Sequence, residues 1–304
     1  MSSANADLTT PPDFLVIGHI TKDILPDGGY TIGGTATYAA LAAQRLGWRA
    51  GIVTSVSPDL LARLPETLPG VAVAARPAAA SSTFANIYED GQRRQYLRAR
   101  AESLGVADVP AAWRQARIVL LGPLAQEVAP ELAGHFEGAL IGATPQGWLR
   151  QWDSDGLISP TPWASATAIL PKLDALILSR DDVTPRTPTE QQRQEAAALL
   201  QRWAEATRLM VVTQGAEGAL LHWQGATRRF PAYPAQEVEP TGAGDVFAAA
   251  FLLQYALAHD PYAATRYANC AASFVVEKPG TEGIPTPQQV GERLKKKVAA
   301  KVTG

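Results

Sequence analysis

The hydrophobic and polar positions of the chain form two alternating kinds of pattern. Short apolar runs, typical of buried parallel strands, occur at residues 14–18, 51–56, 117–122, 139–143, 174–179 and 209–213. Between several of these runs, apolar residues recur every three or four positions, as in the helices predicted at 34–46 and 189–206. The alternation predicts an α/β fold with a mainly parallel sheet covered on both faces.

One segment interrupts this alternation. Residues 82–99 form two strand-like runs joined by a turn that contains Asp90 and Gly91, which predicts a β-hairpin. A hairpin cannot easily enter the middle of a parallel sheet, so we expect a small β flap, about residues 76–100, at the sheet edge. A second short hairpin is predicted at 213–223. After Asp245 the pattern is helical, at 245–258, 261–277 and 286–300.

The remaining organisation is simple. Residues 1–12 are predicted to be a flexible leader, and residues 13–300 a single domain that includes the flap. No segment has the composition of a secretory signal or the ~18 consecutive apolar residues of a membrane helix. We therefore expect a cytoplasmic protein without a membrane partner.

Composition excludes several classes of site. The net charge of -2 shows no electrostatic footprint for nucleic acid. The single cysteine, Cys270, excludes an internal disulfide framework, and its apolar surroundings predict a buried thiol. The four histidines have no metal-ligand spacing, so no zinc site built by the protein is expected.

The sharpest chemical feature is the segment TGAGD, residues 241–245, which directly precedes an apolar helix. The amides of Gly242, Ala243 and Gly244 would face outward at the helix N-terminus, where unpaired N–H groups and the helix dipole bind anions. The dipole should also keep Asp245 ionised and weakly basic. This segment alone leaves open whether Asp245 is a catalytic carboxylate or only a helix cap.

The segment PTGAGDVFAAAFL resembles the signature of the PfkB/ribokinase-like carbohydrate kinases. Four other segments resemble that family in the same order: GHITKDI (18–24), IGGTATYAALAAQRLGWRAGIVTSV (32–56), VVTQGAEGALL (211–221) and ANCAASFVVEKPGTEGIP (268–285). The five segments extend over about residues 13–290. The resemblance implies a Rossmann-like, three-layer α/β/α ribokinase-like fold with a small β lid, and the predicted flap falls where that lid should be.

The resemblance also implies roles for individual residues. Asp245 would take the proton from the acceptor hydroxyl, while the amides of residues 242–244 would stabilise the transferring phosphoryl group. ATP would be the donor, with Mg²⁺ bridging its phosphates, and many relatives also use a monovalent cation. The implied donor-side residues are Thr213, Gly215, Gly218 and Asn269, and the implied substrate-side residues are Asp23, Gly33 and Gly34.

The chain departs from the family pattern at several positions. Tyr38 stands where an asparagine is common, and Glu239 replaces the aspartate that leads the C-terminal signature. The N-x-x-E motif appears as SRDD, in which Ser179 replaces the amide and Asp182 keeps a carboxylate. We expect Asp182 to hold the metal through water or phosphate.

The acceptor is less well defined. Residues 144–156 resemble a branch that includes the myo-inositol kinases, and within them Gln146 and Arg150 either bind substrate hydroxyls or fix the loop. Tyr38 either offers a flat face to the substrate or packs internally, and Asn86 is placed to reach the substrate from the flap. The flap arginines, Arg93, Arg94, Arg98 and Arg100, either mark a phosphorylated sugar or form a solvated face.

Together these features predict an ATP-dependent kinase that phosphorylates a hydroxyl group of a small sugar or polyol, with an inositol-like acceptor favoured. A nucleoside kinase is the alternative within the same chemistry. A catalytically weak sugar-binding regulator is the alternative from another class. Pairing of two flaps in a homodimer would cover their exposed strand edges, as in some relatives, and is a further hypothesis.

Overall fold

The computed structural model describes residues 8–89, 92–185 and 187–302. The strands are β1 (Phe14–Ile17), β2 (Thr21–Ile24), β3 (Tyr30–Gly33), β4 (Ala50–Val56), β5 (Ala72–Pro77), β6 (Thr83–Glu89), β7 (Gln92–Ala99), β8 (Ile118–Leu121), β9 (Leu140–Ala143), β10 (Arg150–Trp152), β11 (Ile158–Pro160), β12 (Ala175–Ser179), β13 (Leu209–Thr213), β14 (Ala219–Trp223) and β15 (Ala226–Phe230). The helices are α1 (Thr35–Arg45), α2 (Pro58–Leu61), α3 (Leu64–Thr67), α4 (Ala166–Ile169), α5 (Glu190–Ala206), α6 (Ala243–Ala258), α7 (Pro261–Val275) and α8 (Pro287–Val302).

The main sheet has nine strands in the order β15-β14-β13-β12-β9-β8-β1-β4-β5. The pairs from β13 to β5 are parallel, and β14 and β15 extend the sheet as antiparallel strands. The apolar runs predicted from the sequence are the central strands of this sheet. The predicted second hairpin is formed by β13 and β14.

Successive residues of the central strands point to opposite faces of the sheet. Val16 on β1 and Leu120 on β8 face a core that includes buried residues of α1, α6, α7 and α8. Leu15 and Val119 face a second core with Trp203 of α5. Helices on both faces of a large mixed sheet make this a three-layer α/β/α fold, as predicted.

The flap belongs to a sheet of its own, and the predicted position at the edge of the main sheet is wrong. Strands β6 and β7 form the expected antiparallel hairpin, but β6 also pairs in parallel with β2, giving a four-stranded sheet in the order β3-β2-β6-β7. Strands β2 and β3 are four residues each and partly polar, so they carry little pattern of their own. The turn predicted at Asp90-Gly91 lies outside the described residues.

The remaining predictions from the sequence concern Cys270, membrane helices, domain division, location and dimerisation. The thiol of Cys270 is buried, as predicted, and donates to Val290 O. Within the described residues, no helix has both the length and the apolar character needed to cross a membrane. The division into leader, domain and lid, the cytoplasmic location and the flap-mediated homodimer stay predictions.

The segment 144–163 is anchored by tryptophans. Trp148 stacks on Trp163 with ring centroids 5.1 Å apart, and Trp163 meets the edge of Trp203 on α5 at 5.5 Å. Trp148 also donates its indole N–H to Val128 O at 2.9 Å. This cluster supports the antiparallel pair β10–β11 and fixes the segment that carries Gln146.

We expect Trp203→Ala to lower the free energy of unfolding by about 3–5 kcal/mol, because it removes a buried aromatic ring from this cluster. Urea unfolding followed by circular dichroism measures the change. Gln201→Ala, an exposed change on the same helix, is the control and should alter stability by no more than about 0.5 kcal/mol. Equal stability of the two variants would show that the cluster does not anchor the loop.

Candidate active site

The predicted site residues gather at one edge of the main sheet. The parallel strands β1, β8, β9, β12 and β13 all end there, and ligand sites of open α/β sheets lie beyond the carboxyl ends of such strands. Thr213 is the last residue of β13, and Ser179 is the last residue of β12. Helices α1 and α6 both begin at the same edge, because Thr35 at the start of α1 touches Asp245 in the first turn of α6.

The turn before α6 depends on Gly242. Its φ angle of +81° lies in the left-handed region, which favours glycine. A Cβ atom at this position would lie 2.2 Å from Cδ1 of Tyr38, a buried ring whose exposed fraction is 4%. The Tyr38 ring therefore packs directly against the backbone of Gly242 and fixes the position of the turn relative to α1.

The amides of this turn are only partly available, which corrects the prediction for Ala243. Its N–H donates to Pro240 O at 3.3 Å. Among the described residues, the N–H groups of Gly242, Gly244 and Asp245 have no backbone acceptor. N–H groups at the start of a helix carry partial positive charge, so these three groups are the ones left to bind an anion, and that they do so stays a prediction.

Asp245 is half-buried, and this determines its electrostatics. Burial raises its pKa to about 6, the nearby Asp182 adds to the rise, and a hydrogen bond from Thr35 Oγ1 to Oδ1, 2.7 Å long, opposes it. This upward shift is opposite to the expectation that the helix dipole keeps Asp245 weakly basic, and its main cause is desolvation. Asp245 becomes a stronger base that is still mostly ionised above neutral pH.

Asp182 is the second carboxylate of the site. Its Oδ2 accepts the Ser179 N–H at 2.8 Å, and its Oδ1 accepts a hydrogen bond from Gln146 Nε2 at 3.1 Å. Burial raises the pKa of Asp182, whereas these hydrogen bonds and the charge of Arg150 lower it. The charge of Arg150 also lowers the pKa of Asp245, so this arginine acts on both carboxylates.

This arrangement suits a magnesium ion that keeps water and phosphate ligands. Within the described residues, no group of three or more His, Cys, Asp or Glu side chains could form a protein cage for a metal. Mg²⁺ is commonly bound by one or two carboxylates together with waters and substrate phosphates. Asp182, oriented by Ser179 and Gln146, fits that pattern.

The flap supplies a face above the glycine pair. A Cβ atom at Gly33 would lie 2.2 Å from Asp23 Oδ2, so this carboxylate lies over the backbone of the pair. Asp23 pairs with Phe84, and Asn86 shares a face with Phe84 because side chains alternate along a strand. Phe84 packs against Leu124. Asp23 on β2 and Asn86 on β6 are thus on the face of the four-stranded sheet that faces the body of the protein.

Tyr38 does not offer an open ring face in this structure. Its ring is taken up by the contact with Gly242, which is the internal packing that the sequence left open. Burial is the main cause that raises the pKa of Tyr38, followed by the charges of Glu239, Asp245 and Asp23. Gly34, with φ of +92°, ends the glycine pair before α1.

The predicted donor-side residues lie around the turn between β13 and β14. Thr213 Oγ1 donates to Leu178 O at 3.3 Å, and Gly215 and Gly218 bound the turn with φ of +55° and +97°. Asn269 is buried and donates its amide to Phe230 O at 3.2 Å. The structure thus gives Asn269 an internal partner, and its direct contact with a nucleotide stays a prediction.

Two flap arginines make contacts within the protein. Arg98 stacks on Tyr96 at 4.4 Å and donates to Asp155 O, and Arg100 donates to Ala125 O at 2.8 Å. These contacts tie the flap to neighbouring loops. They leave little support for a phosphorylated-sugar site at these two arginines. The side chain of Arg93 lies outside the described part.

Two residues of this region were not predicted from the sequence. Thr35, which contacts Asp245, follows the glycine pair without any distinguishing signal. Glu127 is fully buried, and its carboxylate accepts the N–H groups of His19, Leu124 and Ala125. A buried glutamate in an apolar stretch is a signal that the sequence does contain, because such a charge requires several donors.

Two cavities, of about 670 and 690 Å³, lie away from this edge. One surrounds Trp223 and the end of α6, and the other surrounds His135. Neither contains a predicted site residue. The shape of the surface thus does not identify the site, and the identification rests on the chemistry at the carboxyl edge.

Comparisons with known proteins relate the chain to small-molecule kinases. The family model for "pfkB family carbohydrate kinase" matches residues 149–289. A cytidine kinase of Thermococcus kodakarensis is 26% identical over 260 residues, which is 80% of this chain and 88% of that protein. An inositol 3-kinase of Zea mays is also 26% identical, over 78% of this chain, and the match spans only 65% of the length of that protein.

Solved structures show the same fold. A pyrophosphate-dependent kinase in the ribokinase family, complexed with a pyrophosphate analog and myo-inositol, superposes with a TM-score of 0.74 at 21% identity, covering 92% of this chain and 99% of that one. Arabidopsis thaliana ribokinase, complexed with ribose and ATP, gives 0.69 at 21% identity, covering 94% and 99%. At this identity the likeness establishes the ribokinase-like architecture.

We expect Asp245→Asn to stabilise the fold at pH 7.5 by roughly 1–3 kcal/mol. A folded-state pKa of about 6, above the ordinary 3.8, means that the parent protein loses stability as pH rises from about 4 to 6. The neutral amide side chain avoids that loss of stability, and its oxygen can still accept the hydrogen bond from the Thr35 hydroxyl. Urea unfolding at pH 5 and pH 7.5 should show a smaller gain at pH 5. An equal gain at both values would contradict the raised pKa.

We expect Gln146→Leu to weaken Mn²⁺ binding about tenfold, because partners that orient a metal-holding carboxylate typically contribute that much. Calorimetric titration with Mn²⁺ in the presence of a non-hydrolysable ATP analogue measures the affinity. Gln151→Leu, an exposed change in the same segment, is the control. Unchanged Mn²⁺ affinity in Gln146→Leu would exclude Gln146 as a residue that orients Asp182 for metal binding.

Proposed function

Residues 149–289 match the model of the pfkB family of carbohydrate kinases, and we propose that the chain is a member of this family that transfers the terminal phosphoryl group of ATP to a hydroxyl group of a small polyol. A cyclitol such as inositol is the favoured acceptor. The observation that carries the proposal is the position of Asp245, a carboxylate with a raised pKa, directly beside the unpaired amides of the glycine turn. A proton acceptor and an anion site are the two parts that phosphoryl transfer requires.

The reaction follows from these positions. The acceptor O–H bond breaks as its oxygen bonds to the phosphorus, and Asp245 takes the proton. The bond from phosphorus to the leaving oxygen breaks, and ADP leaves with that electron pair. The amides of Gly242 and Gly244 stabilise the charge on the phosphoryl oxygens in transit. Mg²⁺ would neutralise donor phosphate charge when bound, and Asp182 would hold it through water or phosphate.

The donor is proposed to lie between the turn before α6 and the turn after β13. A Cβ atom added at Gly215 or Gly244 would meet no atom within 4 Å, so both turns border open space. Thr213 and Gly218 lie on the same side. Because proteins of this fold are known with ATP and with a pyrophosphate analog, the donor is tested together with the acceptor.

The polar lining of the acceptor side supports a polyol. Asp23 on β2 and Asn86 on the flap offer a carboxylate that accepts hydrogen bonds and an amide, which suit a ring with many hydroxyl groups. Gln146 and Arg150 lie towards Asp182 and are proposed to border the same acceptor. The similarity to inositol 3-kinases supports the same choice.

A nucleoside acceptor is the second candidate. The similarity to the cytidine kinase supports it, because that match spans 88% of the relative's length. A base would need a flat apolar support, and the Tyr38 ring that could have supplied it is packed against Gly242. This contact is the reason for placing the polyol first.

We test the function with a panel of inositols, ribose, fructose and nucleosides, each with Mg²⁺ and either ATP or pyrophosphate. Phosphorus NMR of the products identifies both donor and acceptor. We expect an inositol to give the highest kcat/KM with ATP. A nucleoside as the best acceptor would overturn the acceptor class. Absence of any product would favour a sugar-binding regulator.

We expect Asp245→Asn to lower kcat by a factor of about 10²–10⁴ with the best acceptor, because a positioned general base typically contributes that factor. Steady-state kinetics at saturating donor measure it. Glu195→Gln, an exposed change on α5, is the control and should leave kcat unchanged. Near-parent activity of Asp245→Asn would exclude Asp245 as the base.

A further inference from the structure

Thr35 joins the glycine pair to the carboxylate of Asp245. It is the first residue of α1, its exposed fraction is 3%, and its hydroxyl donates to Asp245 Oδ1 at 2.7 Å. The two residues are 210 positions apart in the chain, so only the packing of α1 on α6 brings them together. One carboxylate oxygen is therefore already engaged before any ligand binds.

Gly122 fixes the direction of this hydroxyl. A Cβ atom at Gly122 would lie 2.5 Å from Thr35 Cγ2 and 3.0 Å from Thr35 Cβ, so the methyl group rests on bare backbone. A β-branched side chain has few χ1 rotamers. With its methyl group held over Gly122, the hydroxyl of Thr35 points to Asp245.

We propose that Thr35 is a positioning residue that occupies Oδ1 of Asp245 and so directs Oδ2 to accept the proton of the acceptor hydroxyl. This proposal rests on the proposed kinase function, in which Asp245 is the base. The hydroxyl of Thr35 keeps its own proton throughout the reaction. The proton that moves is that of the acceptor, which passes to Oδ2 as the new bond to phosphorus forms.

The surroundings of Asp245 indicate how the contact acts. Burial and the charge of Asp182 favour the protonated carboxyl group, whereas Thr35 and the charge of Arg150 favour the carboxylate. On α1, Tyr38 is the other polar side chain that interacts electrostatically with Asp245. Loss of the Thr35 hydroxyl removes one of the two favourable influences, so the base should titrate at a higher pH.

A purely structural role for Thr35 predicts a different result. In that case the loss of the hydroxyl would change stability, and the pH dependence of the reaction would stay as in the parent. A matched neighbour offers the comparison. Thr144 Oγ1 lies 3.6 Å from the same Cβ position of Gly122, and among the described residues it has no hydrogen-bond partner.

The experiment compares Thr35→Val and Thr35→Ala, which lack the hydroxyl, with Thr35→Ser, which keeps it, and with Thr144→Val. The pH profile of kcat/KM is measured with the best acceptor at saturating donor. We expect both hydroxyl-free variants to lose about 10–100-fold in kcat, and their acidic limb to move upward by about one pH unit, as for loss of a hydrogen bond to a charged group. Thr35→Ser and Thr144→Val should keep the acidic limb of the pH profile at the same pH as in the parent protein.

A second readout does not depend on turnover. Carbon NMR of protein labelled at the aspartate carboxyl groups follows the titration of Asp245, which is assigned by its absence in Asp245→Asn. An upward shift in Thr35→Val or Thr35→Ala supports the proposal, and a parent-like titration in both overturns it. If the shift is present but the parent phosphorylates no acceptor, the proposed function fails while the contact between Thr35 and Asp245 stands. If the parent is active and the limb stays fixed, only the role of Thr35 fails.

Discussion

The packing of α1 against α6 is the interaction on which the site depends. The two helices begin at the same edge of the sheet, and α1 supplies two side chains that support the start of α6. The Tyr38 ring of α1 supports Gly242 before α6, and the Thr35 hydroxyl of α1 binds Asp245 in its first turn. A change in the spacing of the helices would therefore disturb the amides and the base together.

The packing of these helices desolvates the carboxylate of Asp245, which by itself is unfavourable for folding. Burial raises the pKa of Asp245 to about 6, so keeping it ionised near neutral pH costs stability. The same shift makes Asp245 a better proton acceptor than an exposed aspartate while it is still mostly ionised at pH 7.5. The cost to the fold and the benefit to the proposed proton transfer thus have one cause, which is desolvation.

The acceptor side is shaped by a different part of the molecule. In the small sheet of β2, β3, β6 and β7, Asp23 lies beside Gly33 of the glycine pair, and Asn86 shares a face with Phe84, the strand partner of Asp23. In the proposed function these polar groups border the acceptor. The cytidine kinase and the inositol 3-kinase are both 26% identical to this chain, and identity does not separate the two acceptor classes. The side chains of the proposed acceptor side are better guides than sequence identity. Among them, the internal packing of Tyr38 argues against a nucleoside as the acceptor.

The sequence by itself determined the parallel sheet and the position of Asp245 at the start of a helix. Apolar runs and a glycine-rich turn are local patterns, and short-range sterics and burial are enough to produce those elements. Tertiary structure alone decided the pairing of β2 with β6, the contact between Thr35 and Asp245, and the basicity of Asp245. Strands of four residues carry too little pattern to specify a partner. Desolvation depends on every element packed around a carboxylate, whereas the dipole that suggested a weak base belongs to one helix.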